Sequence, residues 1–213
     1  MTIRPIIFSG PMVRALLAGR KSQTRRITPC PLSKVEVGDL LYVREAFTIQ
    51  ENQFYSTIEG RFVNTCLDFA ATRTRTWFNL PAESLKPAWE RRSDADGGPF
   101  MRPAMFCPRA ASRLTLRVNR VFFDPIQRIS ATDAIAEGIT PNPNYGDWGG
   151  EWMNYPEGSS EGGWECPRDS FRSLWDSLHT KPGETWADNP MVVALQFEVI
   201  HANVDTLKEL ADG

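Results

Sequence analysis

Short apolar stretches alternate with abrupt polar turns along the chain, and the spacing within each stretch predicts its element. Ile3, Arg4, Pro5, Ile6, Ile7 and Phe8 read as a first strand. Met12, Val13, Leu16 and Leu17 then recur on one face of a short helix, with Gly10 as N-cap, Pro11 at the first helical position and Gly19 just past its end. Thr24 to Ile27 predicts a strand. Val37-Gly38-Asp39 predicts a tight turn into a strand from Leu40 to Thr48, whose apolar start on both faces marks burial on both sides. Arg44 and Glu45 would point to opposite faces of that strand, because side chains alternate.

From residue 50 to about 105 the pattern loosens. Phe54 to Phe69 reads as a hairpin turning at Glu59-Gly60, and residues 91 to 99 as a polar, Gly-rich loop. The alternating Thr and Arg of residues 72 to 78 fit either a strand that faces a polyanion or a solvated edge strand whose charges deter pairing. Regularity returns over residues 112 to 118, where Leu114, Leu116 and Val118 point inward. Ser130 and Asp133 form a capping pair for a short helix that Gly138 ends. Glu137 therefore sits at a helix C-terminus, where a carboxylate is disfavoured unless a cation offsets it; the plain alternative is a solvated glutamate. Residues 140 to 168 carry Tyr145, Trp148, Trp152, Tyr155 and Trp164, which either stack on a base or pin the segment down. Phe171, Leu174, Trp175 and Leu178 share one face of a last helix. Asp188-Asn189-Pro190 then turns into a closing strand whose Met191, Val193, Leu195, Phe197 and Val199 alternate inward.

At 213 residues and 41% hydrophobic content the chain has enough material for a core, and one domain over 1–213 with insertions at about 50–105 and 140–168 is expected. No apolar run reaches the ~18 residues of a spanning helix. Pro5, Gly10, Pro11 and Arg14 interrupt the N-terminal stretches too early for a signal peptide, so a cytoplasmic address and no membrane partner are expected. The net charge of −2 conceals an imbalance of +9 over residues 1–120 and −11 over residues 121–213. Arginine makes up 19 of the 24 basic residues, which suits bidentate contact with phosphate or a base edge, although a salt-bridged surface would look the same. Cys30, Cys66, Cys107 and Cys166 form no Cys-x-x-Cys pair, and the only imidazoles are His179 and His201, so no metal site and no cofactor are expected.

The densest chemistry lies in Gly19-Arg20-Lys21-Ser22-Gln23-Thr24-Arg25-Arg26, a basic, hydroxyl-bearing turn that repels itself unless it meets anions. That turn is followed in order by Val37-Gly38-Asp39-Leu40-Leu41-Tyr42-Val43-Arg44-Glu45, by Ser130 to Ile139, by the helix around Phe171 to Leu178 and by the strand from Met191. The series resembles the ASCH domain, a branch of the PUA-like superfamily. With its Ser173-Leu174-Trp175-Asp176-Ser177 segment the chain looks most like the longer ASCH proteins of phages and prophages. The resemblance implies an α+β fold, a PUA-like pseudo-β-barrel with flanking short helices. It also implies a cleft beside the first helix for a modified nucleoside or a single-stranded nucleic acid, RNA or DNA. Small bacterial members hydrolyse N4-acetylcytidine, and their catalytic Lys, Thr and Glu match Lys21, Thr24 and Glu137. The candidate ligand contacts are Arg20, Arg25, Arg26, Arg44, Glu45 and Arg113. A pocket shared by Lys21 and Thr24 requires that this stretch remain a turn, since residues three apart on a strand face opposite sides. A non-catalytic nucleic-acid reader and a protein-interaction module are the alternatives.

Overall fold

The structure, a computed structural model, describes residues 1–49, 55–56, 62–81, 101–142, 151–155 and 162–207. It is mixed α+β. Among these residues the strands are β1 (Ile3–Ile7), β2 (Gln23–Ile27), β3 (Leu40–Arg44), β4 (Phe47–Ile49), β5 (Tyr55–Ser56), β6 (Phe62–Phe69), β7 (Thr74–Pro81), β8 (Met101–Arg102), β9 (Thr115–Pro125) and β10 (Met191–Ile200). The helices that matter below are α1 (Gly10–Leu17), α2 (Ala131–Ala136) and α3 (Pro167–Leu178). Two compact units are each assembled from separated segments. Met1–Arg14, Leu40–Arg117 and Val199–Gly213 form the first; Ala15–Asp39 and Val118–Glu198 form the second.

In the first unit β3 pairs in parallel with β1 (Ile3 opposite Leu40) and antiparallel with the start of β9 (Leu41 opposite Leu116). The long strand expected from Leu40 to Thr48 is broken. β3 stops at Arg44, whose Nε donates to the Cys107 carbonyl at 2.9 Å, and β4 resumes at Phe47 to pair with β6 and β8. Arg44 and Glu45 thus do not share a strand, and the alternation argument fails for them. The Thr/Arg run forms β7, paired along β6 from Phe62 opposite Pro81 to Phe69 opposite Thr74. Phe47, Leu67, Phe69, Cys107 and Ala111 make the core beneath, with Phe78 edge-on to Phe69 at 5.9 Å. The hairpin turn at Glu59-Gly60 and the Gly-rich stretch 91–99 lie outside the described residues.

In the second unit β2 and β10 pair antiparallel, from Val192 opposite Ile27 to Gln196 opposite Gln23. Phe171, Trp175, Trp186, Ile126, Ile129, Ile139, Tyr155 and Val192 close one apolar core against this pair's end and α2. Two positions expected inside are outside. Leu178 is exposed because it is the last residue of α3, and His179 stacks on Trp175 at 4.1 Å directly after it. Met191 is exposed because it opens β10 at the turn, and the strand is then buried on both faces from Val192 to Leu195. Tyr155 is buried with its hydroxyl accepting from the Thr140 amide, and Trp152 packs on the same core, so these aromatics pin their segment. Tyr145 and Trp148 lie outside the described residues.

The sequence places β9 too early. Ser112 instead follows a 3-10 turn over Arg109–Ala111, and its hydroxyl donates to the Leu114 carbonyl, so the strand begins at Thr115 and runs to Pro125. Two of the chain's three Cys-Pro pairs open helical segments. Cys30 and Cys166 are the cap residues before a 3-10 turn and before α3, with Pro31 and Pro167 at the first helical position. Proline fits there because its missing N–H would have no helical partner, and it biases the preceding residue towards the extended backbone an N-cap needs. Burial raises the Cys107 thiol to about 11, so it is chemically quiet.

Helix α2 starts as the sequence predicts, with Ser130 Oγ accepting from the Asp133 amide at 3.0 Å. Ser130→Ala is expected to cost about 1 kcal/mol, read as a shift of the urea midpoint at unchanged slope. No helix among the described residues is long and apolar enough to cross a membrane.

Candidate functional site

Glu137 closes α2 and, at 5% exposure, is buried. The cation that this helix end requires is Lys21, 116 residues earlier. Its ammonium donates to the Glu137 backbone carbonyl at 2.6 Å and to Glu137 Oε2 at 2.9 Å, satisfying the end of the helix and its carboxylate together. Lys21 reaches this position because Gly19, at φ +68, turns the chain out of α1, and the Arg20 and Lys21 amides both donate to the Ala15 carbonyl.

The second oxygen, Glu137 Oε1, accepts from Arg25 Nη1 at 2.9 Å. Arg25 also donates to Gln23 Oε1 at 2.9 Å and lies 3.5 Å from Asp133 Oδ2, while Gln23 Nε2 donates to Asp133 Oδ1 at 2.7 Å. Two spacings explain this meeting. Gln23 and Arg25 are two apart on β2 and share its face; Asp133 and Glu137 are four apart and share a face of α2. Two anions and two cations therefore interlock with little exposure to water, and only Asp133 keeps substantial contact with solvent.

Burial alone would raise the Glu137 carboxyl, but Lys21 and Arg25 overcome it and hold its pKa below the ordinary carboxylate value. Burial lowers the Lys21 ammonium, only partly offset by Glu137 and reinforced by Arg26 and Arg25. Both directions fit a site where one buried carboxylate answers to several cations.

Thr24 departs from the expectation. The chain is already in β2 at Gln23, so Thr24 belongs to the strand and not to the turn, and its hydroxyl accepts from Arg26 Nη1 at 2.7 Å. The structure brings Lys21 and Glu137 together, adds Arg25, and places Thr24 beside Arg26. Arg25 is an internal partner of the carboxylates; Arg20 is exposed and Arg26 half-buried.

Arg44, Glu45 and Arg113 belong to the first unit. There Glu45, 2% exposed, takes a two-pronged contact from Arg113 (Nε to Oε1 2.9 Å, Nη2 to Oε2 2.8 Å), and the guanidinium lies 4.0 Å over the Phe69 ring. This is a self-contained ion pair built on an aromatic face. Among the described residues no group of three or more His, Cys, Asp or Glu side chains could hold a metal ion.

Gln23 and Asp133 were not singled out for this site from the sequence, although each half of the arrangement is legible as a same-face pair. What the sequence lacks is the pairing of the two faces. No protein-family model matches the chain, and neither a curated protein nor a solved structure is significantly similar to it.

Proposed function

We propose that the second unit binds a nucleobase-containing ligand, a modified nucleoside or a single-stranded nucleic acid, beside the Lys21–Glu137 pair, within an ASCH-type, PUA-like pseudo-barrel. In its sharpest form the protein hydrolyses the amide of an N4-acylated cytosine. The observation that carries this reading is a buried ammonium on a buried carboxylate whose other oxygen is held by Arg25.

The two pKa directions divide the labour. A carboxylate held low stays ionised and orients its neighbours, whereas an ammonium lowered by burial can give up and regain a proton. Lys21, once it has released a proton to solvent, takes a proton from the attacking water, which adds to the acyl carbonyl. The carbon–nitrogen bond then breaks, Lys21 returns the proton to the departing cytosine N4, and acetate and the free base or nucleoside leave. Thr24 lies on β2 with its oxygen accepting from Arg26, outside the turn that a pocket shared with Lys21 requires, and takes no part in this step. Exposed Arg20 supplies charge for a phosphate.

A reader without turnover is favoured by one feature: the Lys21 ammonium and both Glu137 oxygens already have partners inside the unit. A chromatographic assay with N4-acetylcytidine and its deoxy counterpart separates the two. Turnover is expected, falling at least about 100-fold in Lys21→Ala. No product with enzyme in large excess would overturn the hydrolase and leave the reader, whose binding to RNA or DNA would weaken steeply with salt.

A further inference from the structure

Arg25 is the least expected member of the cluster. An arginine in a basic turn reads as a phosphate contact, yet this one is 5% exposed, and its guanidinium is spent on Gln23, Glu137 and Asp133. A side chain so enclosed does not reach a phosphate without dismantling the network. Its effect falls on the lysine next to it: one carboxylate with a single cation would clamp that cation, whereas a carboxylate shared between two holds each less tightly.

Resting on the functional reading above, we propose that Arg25 is a positioning residue: held by Gln23 and Asp133, it occupies Glu137 Oε1, confines Lys21 to Oε2 and the helix-end carbonyl, and so lets Lys21 pass a proton from the attacking water to the substrate's amine nitrogen. Gln23 is the linchpin, because its amide bridges Arg25 and Asp133 and fixes where the guanidinium points. The charged groups that act on Lys21 are Arg25 and Arg26 from β2 and Glu137 at the end of α2; Asp133 pairs with Arg25.

The test reads the lysine itself and needs no substrate. Protein carrying 13Cε-labelled lysine is titrated by NMR, with the Lys21 signal assigned by its loss in Lys21→Arg. In Arg25→Met the Lys21 titration is expected to move up by about one pH unit, a tenfold loss of neutral amine at fixed pH. Gln23→Leu changes no charge and removes only the bridge; a smaller upward shift is expected there, and it decides alone if Arg25→Met does not fold. Lys21 titrating at the wild-type value in both variants, or in Gln23→Leu when only that variant folds, would overturn the proposal. If the shifts occur but wild-type protein turns over no N4-acylcytosine, Arg25 still sets the charge state of Lys21 and it is the hydrolase reading that falls. If turnover occurs, kcat in Gln23→Leu is expected to drop with its pH profile displaced upward and KM little changed, a split that lost packing alone would not produce.

Discussion

Glu137→Gln is expected to lower the free energy of unfolding by about 3–5 kcal/mol, because it leaves Lys21 buried without its anion and Arg25 with Asp133 alone. Urea denaturation followed by tryptophan fluorescence reads this directly, since Trp175 and Trp186 lie in the same unit's core. The magnitude reflects uncompensated charge and not the net worth of the ion pairs. A triple variant, Lys21→Met, Arg25→Met and Glu137→Leu, removes both signs and is expected to be more stable than the single one. A single variant as stable as the wild type would mean that water reaches the cluster.

The pH dependence follows with a definite sign. Glu137 titrates lower in the folded protein than in the unfolded chain, so its contribution is complete above the ordinary glutamate value of about 4.3 and is lost as pH falls through the folded value. Lys21 also titrates low when folded, so keeping it charged costs stability, and that cost is relieved as pH rises towards the ordinary lysine value of about 10.4. Both groups make stability rise with pH, Glu137 in acid and Lys21 on the alkaline side. Glu137→Gln should flatten the acid limb.

Gly138→Ala is expected to be the second most damaging change, at about 2–4 kcal/mol, from a left-handed backbone and an overpacked contact acting together. Gly138 has φ +87, and an added Cβ would lie 2.9 Å from Lys21 Cβ and 3.0 Å from Ala15 Cβ. The obstruction is not the mobile end of Lys21 but its root, which sits where α1 hands over to the basic turn. Relief therefore displaces the ammonium from Glu137. Combining Gly138→Ala with Ala15→Gly removes one of the two clashes and leaves the backbone strain, so recovery should be partial. Thermal melts of the single and double variants check both statements.

Elements whose pattern is local were legible in the sequence, and relations between elements were not. Ser130, Asp133 and Gly138 announce α2 because capping is written within a few residues, and the Val37-Gly38-Asp39 turn followed by the two-faced apolar start at Leu40 announces β3. The extent of β9 was misread because its second half, Asn119 to Pro125, abandons alternation. Glu137 was placed correctly at a helix end with an unmet need for a cation, yet nothing local says that the cation is Lys21. Periodicity does not link the two. Arg25 reads from the sequence as a ligand contact like Arg20 and Arg26, and only tertiary packing separates the three, burying Arg25 and leaving Arg20 exposed and Arg26 half-buried.

The pairing of β2 with β10 bears on the order in which the protein can be completed on the ribosome. Lys21 and Arg25 emerge early, Glu137 follows more than a hundred residues later, and the strand that fixes the register of β2 is made later still. For most of synthesis the basic turn has neither its carboxylate nor its strand partner, and a nascent chain presents it to whatever anion is near, ribosomal RNA included. The charge cluster thus cannot close before residue 137 has emerged, and β2 gains its strand partner only once β10 has been made.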